Sequence, residues 1–291
     1  MLLRCEVLSG SDLRAATTSV LQRARLADPR RGMWEAADLQ WWSRRPRPSD
    51  AYALPVWFDQ SGPVLAAGVT TWETSWQFDL HGFTANGDEV GRWPDALAAA
   101  RALELPALEL VVRSPDTTLI DCALGSGFTF TDDRSGTAWI GRADQPALEV
   151  VPGFELHSRL ASPDGEHPMV RRNGAEVEQR LQDCSLYNPA LDLCVRDAAG
   201  QVAGYTLFWF DPVTAVGLVE PVRVEDEFQR RGLARMLLTH GLQLLFDLGA
   251  TEVKIGFESA AAQLLYERVG FVQTSVDRSL VLPLDAHPAT G

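Results

Sequence analysis

The stretch VRVEDEFQRRGLAR, residues 222–235, leaves an apolar β-rich run, crosses an acidic turn and enters the start of a helix. From Gly232 onward, Leu233, Leu237, Gly241, Leu244 and Leu248 recur at helical spacing, and Gly249 is placed to cap the far end. The first turn of such a helix leaves backbone N–H groups without intrahelical partners at the positive end of the helix dipole. Gln229, Arg230, Arg231, Gly232, Leu233, Ala234 and Arg235 occupy that start. Gly232 and the small Ala234 admit close approach to the backbone, and three arginines fall within six positions. This half of the chain has a strong acidic excess, so that concentration of cations points to an anion site of the kind a pyrophosphate needs. A solvated, charged helix cap is the alternative.

Outward from this stretch the second half reads as mixed α and β. Residues 191–195 and 202–210 are apolar, β-rich runs joined by the turn-forming 197–200, which predicts a hairpin. A third strand is expected at 216–224. After the helix come a strand at 252–257, a short helix at 260–268 and a strand-like run at 279–284, with a helical stretch around 175–184 ahead of the hairpin.

The chain has 291 residues, more than one core usually takes, and it repeats itself. A shift of 143 lays Glu6, Val7, Gly10 and Leu13 on Glu149, Val150, Gly153 and Leu156, and lays Leu105, Glu109, Gly127 and Phe128 on Leu248, Glu252, Gly270 and Phe271. Between these blocks the register is 138, pairing Asp59, Gly62 and Val64 with Asp197, Gly200 and Val202. The expected domains are 1–143 and 148–291, with a linker at 141–147. The first copy has NGDEVGR at 86–92 where the second has its cationic loop, with Asp88 and Glu89 in place of anion-binding groups, and Ala123 falls where the second copy has Tyr266. This copy is expected to keep the fold and bind the ligand poorly or not at all. It holds eight of the nine tryptophans. Trp57, Trp72 and Trp139 lie in strand-like contexts and are expected in the core. Trp34, Trp41 and Trp42, flanked by arginines, are expected to be partly exposed, lining a substrate wall or an interface, or else to anchor a helix on its own domain.

Composition removes other classes. The chain is 46% hydrophobic and 22% charged, which fits a packed globular protein. A net charge of -13, shared by both halves, makes a poor binder of nucleic-acid backbones. No window approaches a membrane span, the N-terminus lacks a signal-peptide core, and the four cysteines form no Cys-x-x-Cys pair. A reducing cytoplasm and no metal site are the expectations.

The loop closely resembles the acyl-CoA loop of the GCN5-related N-acetyltransferase superfamily. That family's Gln/Arg-x-x-Gly-x-Gly/Ala pattern is met by Gln229, Gly232 and Ala234, and its Tyr followed four residues later by Gly-Phe is met by Tyr266, Gly270 and Phe271. The duplicated arrangement resembles mycothiol synthase-type members with a degenerate N-terminal copy. The resemblance implies an α/β (α+β) fold class, two tandem acyl-CoA N-acyltransferase folds, each with a mixed, mostly antiparallel sheet flanked by helices. It implies an N-acetyltransferase that takes acetyl-CoA as donor and a primary amine of a small molecule or peptide as acceptor, by direct attack in a ternary complex. Val222, Arg223 and Val224 correspond to the splayed strand that pairs with the pantetheine arm, and Gln229 to Arg235 to the pyrophosphate loop. Tyr266 corresponds to the tyrosine that protonates the departing thiolate. Ser259 stands where many members have an asparagine, and its hydroxyl replaces part of that contact. For the proton acceptor, strand alternation places Glu220 on a face with Leu218, Val222 and Val224, one alternation before the pantetheine contacts. Glu220 is the candidate base, with a solvated strand-end charge or a water-borne proton as alternatives. A non-catalytic CoA-binding or sensing module with an N-terminal interaction domain is the competing function. Neither monomer nor homodimer is favoured.

Overall fold

The computed structural model describes residues 3–30, 32–82, 90–114 and 116–284. In chain order the elements are β1 (Arg4–Leu8), α1 (Gly10–Ala27), α2 (Ala36–Trp42), β2 (Leu54–Asp59), β3 (Gly62–Thr71), β4 (Trp76–His81), α3 (Trp93–Arg101), β5 (Ala107–Arg113), α4 (Thr117–Gly125) and β6 (Thr129–Gly141). They continue with β7 (Phe154–Ser158), α5 (Val170–Asn173), α6 (Val177–Gln182), β8 (Asp192–Asp197), β9 (Val202–Asp211), β10 (Val216–Val224), α7 (Leu233–Asp247), β11 (Glu252–Phe257), α8 (Ala260–Val269) and β12 (Val272–Pro283). The expected third strand and the strand at 252–257 fall on β10 and β11 residue for residue. The last strand starts at Val272, well before the expected 279.

Two compact units form, and neither is a contiguous half of the sequence. One takes Met1–Leu39, Pro46–Arg134 and Ser275–Gly291; the other takes Gln40–Arg45 and Ser135–Thr274. In the first, the strand order is β1-β2-β3-β4-β5-β12, with only β4 and β5 parallel among its pairs. In the second it is β7-β8-β9-β10-β11-β6, with β10 and β11 parallel. The topologies are the same, and the sixth strand of each comes from the other half of the sequence. β12 pairs with β5 from Asp277↔Arg113 to Pro283↔Ala107, and β6 pairs with β11 from Gly141↔Glu252 to Gly136↔Phe257. The cut between 143 and 148 marks the repeat in the sequence; the packed units trade a strand across it.

The repeat registers are visible in the elements. A shift of 143 carries the start of α4 to that of α8 and the start of β6 to that of β12, and a shift of 138 carries β2 onto β8. The block around Glu6 and Val7 is different. β1 pairs with β2 through Glu6↔Val56, whereas Glu149 and Val150 lie ahead of β7, which joins β8 from Phe154. Those identities are not structural equivalents.

In the second unit, Leu233, Leu237, Leu238, Leu242 and Leu245 of α7 are buried with Val195, Ala203 and Phe208 from the sheet. Gly241 puts the helix backbone directly on the Phe208 ring, leaving no room for a Cβ. In the first unit, Leu97 and Trp93 of α3 pack with Leu65, Phe78, Leu108 and Phe128; the Trp93 ring meets Phe78 edge-on at 5.4 Å.

Trp57 and Trp139 are core residues as expected, and Trp72 is half-buried. Trp41 and Trp42 depart from expectation: they are 4% and 5% exposed. The neighbouring polar groups bond within the second unit instead of solvating the rings. Gln40 donates to Ser185 and accepts from the Leu186 N–H, Arg44 donates to Asn173 while its guanidinium covers the Trp41 ring at 3.8 Å, and Arg180 donates to the Ser43 carbonyl. Trp34, half-buried, donates from its indole to Asp79 in the first unit.

Candidate functional site

The site is built in the second unit where two parallel strands part. β10 pairs with β11 only from Val216↔Glu252 to Val219↔Ile255. Its pairing with β9 then shifts register: Val219 faces Phe208 and Val222 faces Thr206, so Glu220 and Pro221 stand opposite Leu207 alone. Pro221 has no N–H to give a ladder, and such residues belong at bulges. Beyond the bulge, Val222, Arg223 and Val224 stay with β9, while β11 stays with β6 through Phe257. The strands diverge, and the 222–224 backbone edge toward β11 carries no strand partner among the described residues. The bulge also breaks the alternation expected for Glu220. Val216–Val219 are buried throughout, and 220–224 are half-buried.

The chain then makes a short 3-10 turn at Asp226–Phe228 and two left-handed steps, Arg230 at φ 63° and Gly232 at φ 87°, before α7. Glycine adopts this conformation without cost, whereas an arginine there is uncommon. No side chain caps α7, which leaves the N–H groups of its first turn as donors. Phe228 anchors the turn in the core against Phe154 at 6.0 Å. Gln229 donates to Asp226 at 3.0 Å, the Arg231 guanidinium lies over the Phe228 ring at 5.4 Å, and Arg235 pairs with Glu149 at 3.5 Å. Arg230 is exposed and makes no ion pair among the described residues. Leu233 is 1% exposed, so its side chain is core and only its N–H is available to a ligand; Ala234 is half-buried.

Tyr266 sits on α8, 8% exposed, with Phe257 at 6.3 Å and Phe271 at 6.1 Å from its ring. Burial, and then the charge of Glu220, push its phenol up to about 12. The Glu220 charge thus acts on the phenol across the space between the β10 bulge and α8. The Tyr-to-Gly-Phe spacing has a local cause. Gly270, at φ 113°, ends α8, and the N–H groups of Gly270 and Phe271 both donate to the Tyr266 carbonyl. The first unit repeats this ending: Gly127 is at φ 95° and the Phe128 N–H donates to Ala123, whose small buried side chain stands where Tyr266 would. Ser259 is the N-cap of α8, and its Oγ accepts from the Ala262 N–H at 3.2 Å.

A residue that periodicity does not flag also touches the β10 bulge. The indole Nε1 of Trp209, on β9, donates to the Glu220 carbonyl at 3.1 Å. Its one signal in the sequence is that it is the only tryptophan of the second half. Of the first copy's 86–92, residues 86–89 lie outside the described residues; α3 follows with Arg92 as a right-handed N-cap at φ -95°. Among the described residues no cluster of three His, Cys, Asp or Glu is arranged to hold a metal, and no helix is long and apolar enough to cross a membrane.

Residues 156–271 match the acetyltransferase (GNAT) family. The mycothiol acetyltransferase of Clavibacter michiganensis subsp. michiganensis is 30% identical over 195 residues, covering 66% of this chain and 59% of that protein, so the chain spans about three fifths of this curated relative. Among solved structures, a tandem GNAT protein from the clavulanic acid biosynthesis pathway superposes with a TM-score of 0.68 at 16% identity over 99% of this chain and 100% of its own. A GCN5-related N-acetyltransferase from Sphaerobacter thermophilus gives 0.60 at 15% identity over 97% and 96%. These two likenesses speak for the fold alone. Residues 156–271, which span the diverging strands, the left-handed loop and α8, thus belong to the acetyltransferase (GNAT) family, and the whole chain has the tandem form of that fold.

Proposed function

We propose that this protein transfers an acetyl group from acetyl-CoA to a primary amine of a small molecule or peptide, by direct attack in a ternary complex. The observation that carries the reading is the parting of β10 from β11 at Glu220, whose charge acts on the Tyr266 phenol. The edge of Val222, Arg223 and Val224 that turns toward β11 offers amide partners to an extended arm, and the uncapped start of α7 with Gln229, Arg230, Arg231 and Arg235 offers donors and charge to a pyrophosphate. The Ser259 O–H remains able to donate alongside its capping bond.

The acceptor must lose a proton, because an alkyl ammonium titrates near ~10.4 and only the neutral amine attacks. Glu220, half-buried where the strands part, is the acceptor for that proton. Tyr266, protonated throughout the neutral range, donates to the departing thiolate. Holding amine and thioester together supplies most of the rate, as positioning does in other acyl transfers. The relative's name mentions mycothiol, a small molecule, which agrees with an amine acceptor of that size. The test follows thiol release from acetyl-CoA with a panel of primary amines. Glu220→Gln and Tyr266→Phe are each expected to lower kcat while CoA still binds. Unchanged turnover in both would remove these two groups from the reaction, whereas a wild-type protein that binds CoA and turns over none of the amines would support a CoA-binding module.

A further inference from the structure

The Glu220 carbonyl has an unusual partner. In a regular ladder it would accept from a β9 backbone N–H, but at the bulge two β10 residues share Leu207 and Pro221 supplies no donor. The Trp209 indole accordingly bonds the Glu220 carbonyl. Trp209 is fully buried, and the Tyr187 ring meets it at 6.4 Å and 65°. The Tyr187 hydroxyl donates to Asp192 Oδ2 at 2.9 Å, the same oxygen that His167 Nε2 meets at 2.8 Å. The Met169 N–H donates to His167 Nδ1, which leaves the ring proton on Nε2, facing Asp192. Burial, followed by the charge of Asp192, holds the Tyr187 phenol above its ordinary value, so it remains a donor. His167 and Asp192 are 2% and 3% exposed. Hydrogen bonds thus join His167, Asp192 and the Tyr187 hydroxyl, the Tyr187 ring packs edge-on against Trp209, and the indole N–H ends on the backbone of the candidate base.

We propose that Trp209 is a positioning residue: its N–H fixes the bulge at Glu220 and with it the direction in which the Glu220 side chain leaves the strand. The proposal rests on Glu220 being the proton acceptor. Trp209→Phe keeps an aromatic ring and removes the donor; Tyr187→Phe keeps the ring that braces Trp209 and removes its tie to Asp192.

The experiment measures kcat and the acetyl-CoA KM of the full chain for Trp209→Phe, Tyr187→Phe and Glu220→Gln, and for each aromatic variant combined with Glu220→Gln. Trp209→Phe is expected to lower kcat about tenfold with KM changed less than about twofold. In the Glu220→Gln background it is expected to cause no further fall, because both changes act through one group. Tyr187→Phe is expected to show a smaller loss with the same non-additivity, and it carries the test if Trp209→Phe does not fold. Equal losses in both backgrounds, or an unchanged kcat in a folded Trp209→Phe protein, overturn the positioning role while leaving Glu220 as acceptor. If Glu220→Gln itself leaves kcat unchanged, the acceptor assignment fails, and the proposal with it.

Discussion

Tyr266 owes its chemistry to where α8 puts it. The phenol lies under Phe257 and Phe271 with a carboxylate in range, and both burial and that charge disfavour the phenolate. Its folded-state value, about 12, stands above the ordinary 10.0, so the folded protein holds this proton more tightly than the unfolded chain does. The linked stability is complete below about pH 10 and is lost as pH rises toward about 12. Tyr266→Phe is therefore expected to flatten the fall in stability across that alkaline window, read by urea unfolding at a series of pH values. It is also expected to lower kcat about a hundredfold with the acetyl-CoA KM nearly unchanged, read by steady-state kinetics. The helix ending that holds Tyr266 was legible in the sequence, because the spacing to Gly270 and Phe271 is a property of one helix end. The surroundings of Glu220 were not. A period of two holds only while the ladder is regular, and Pro221 with the register shift ends it. Trp209 was invisible for a related reason, since its role depends on which strand lies beside the bulge.

Among the elements, α7 works at both ends of its packing. Its start combines geometry with charge: the left-handed steps at Arg230 and Gly232 lead into a first turn that no side chain caps, where CoA is proposed to bind. The double change Arg230→Glu with Gly232→Glu puts two carboxylates on that donor set and a Cβ at φ 87°. It is expected to weaken CoA binding about a hundredfold, measured by calorimetry, with the α7 core face and thermal unfolding much less affected. Farther along, Gly241 lets the helix touch Phe208. An alanine gains about 1 kcal/mol in helix propensity, but its methyl would overlap the ring of a fully buried phenylalanine. Gly241→Ala is expected to be a net loss of about 2 kcal/mol in urea unfolding, and a neutral or stabilising result would mean that α7 lies farther from β9 than described. The cationic loop and the run of leucines are local patterns, and both were readable before any strand was placed.

For the whole molecule the duplication was legible and the exchange was not. The registers of 143 and 138 follow β2, α4 and β6 into β8, α8 and β12, because each copy repeats its own local pattern. Nothing in a local pattern states which β5-like strand a β12-like strand will join. β12 completes the first unit and β6 the second, so a piece cut at the repeat boundary loses a paired neighbour. A fragment of residues 148–291 lacks Ala138, Ile140 and the whole β6 edge along β11, whereas 135–274 keeps them. The second fragment is expected to unfold cooperatively at higher urea than the first. The reverse order would contradict the strand assignment.

The central claim is that the two copies met different fates: one acetyl-CoA site per chain, at the start of α7 and the parting of β10 from β11. Calorimetric titration of the full chain with acetyl-CoA tests it most directly, with wild type and the Arg230→Glu, Gly232→Glu protein side by side. The account expects one site per chain, lost in the double variant. Two sites in wild type, or one site that survives the double change, would contradict it.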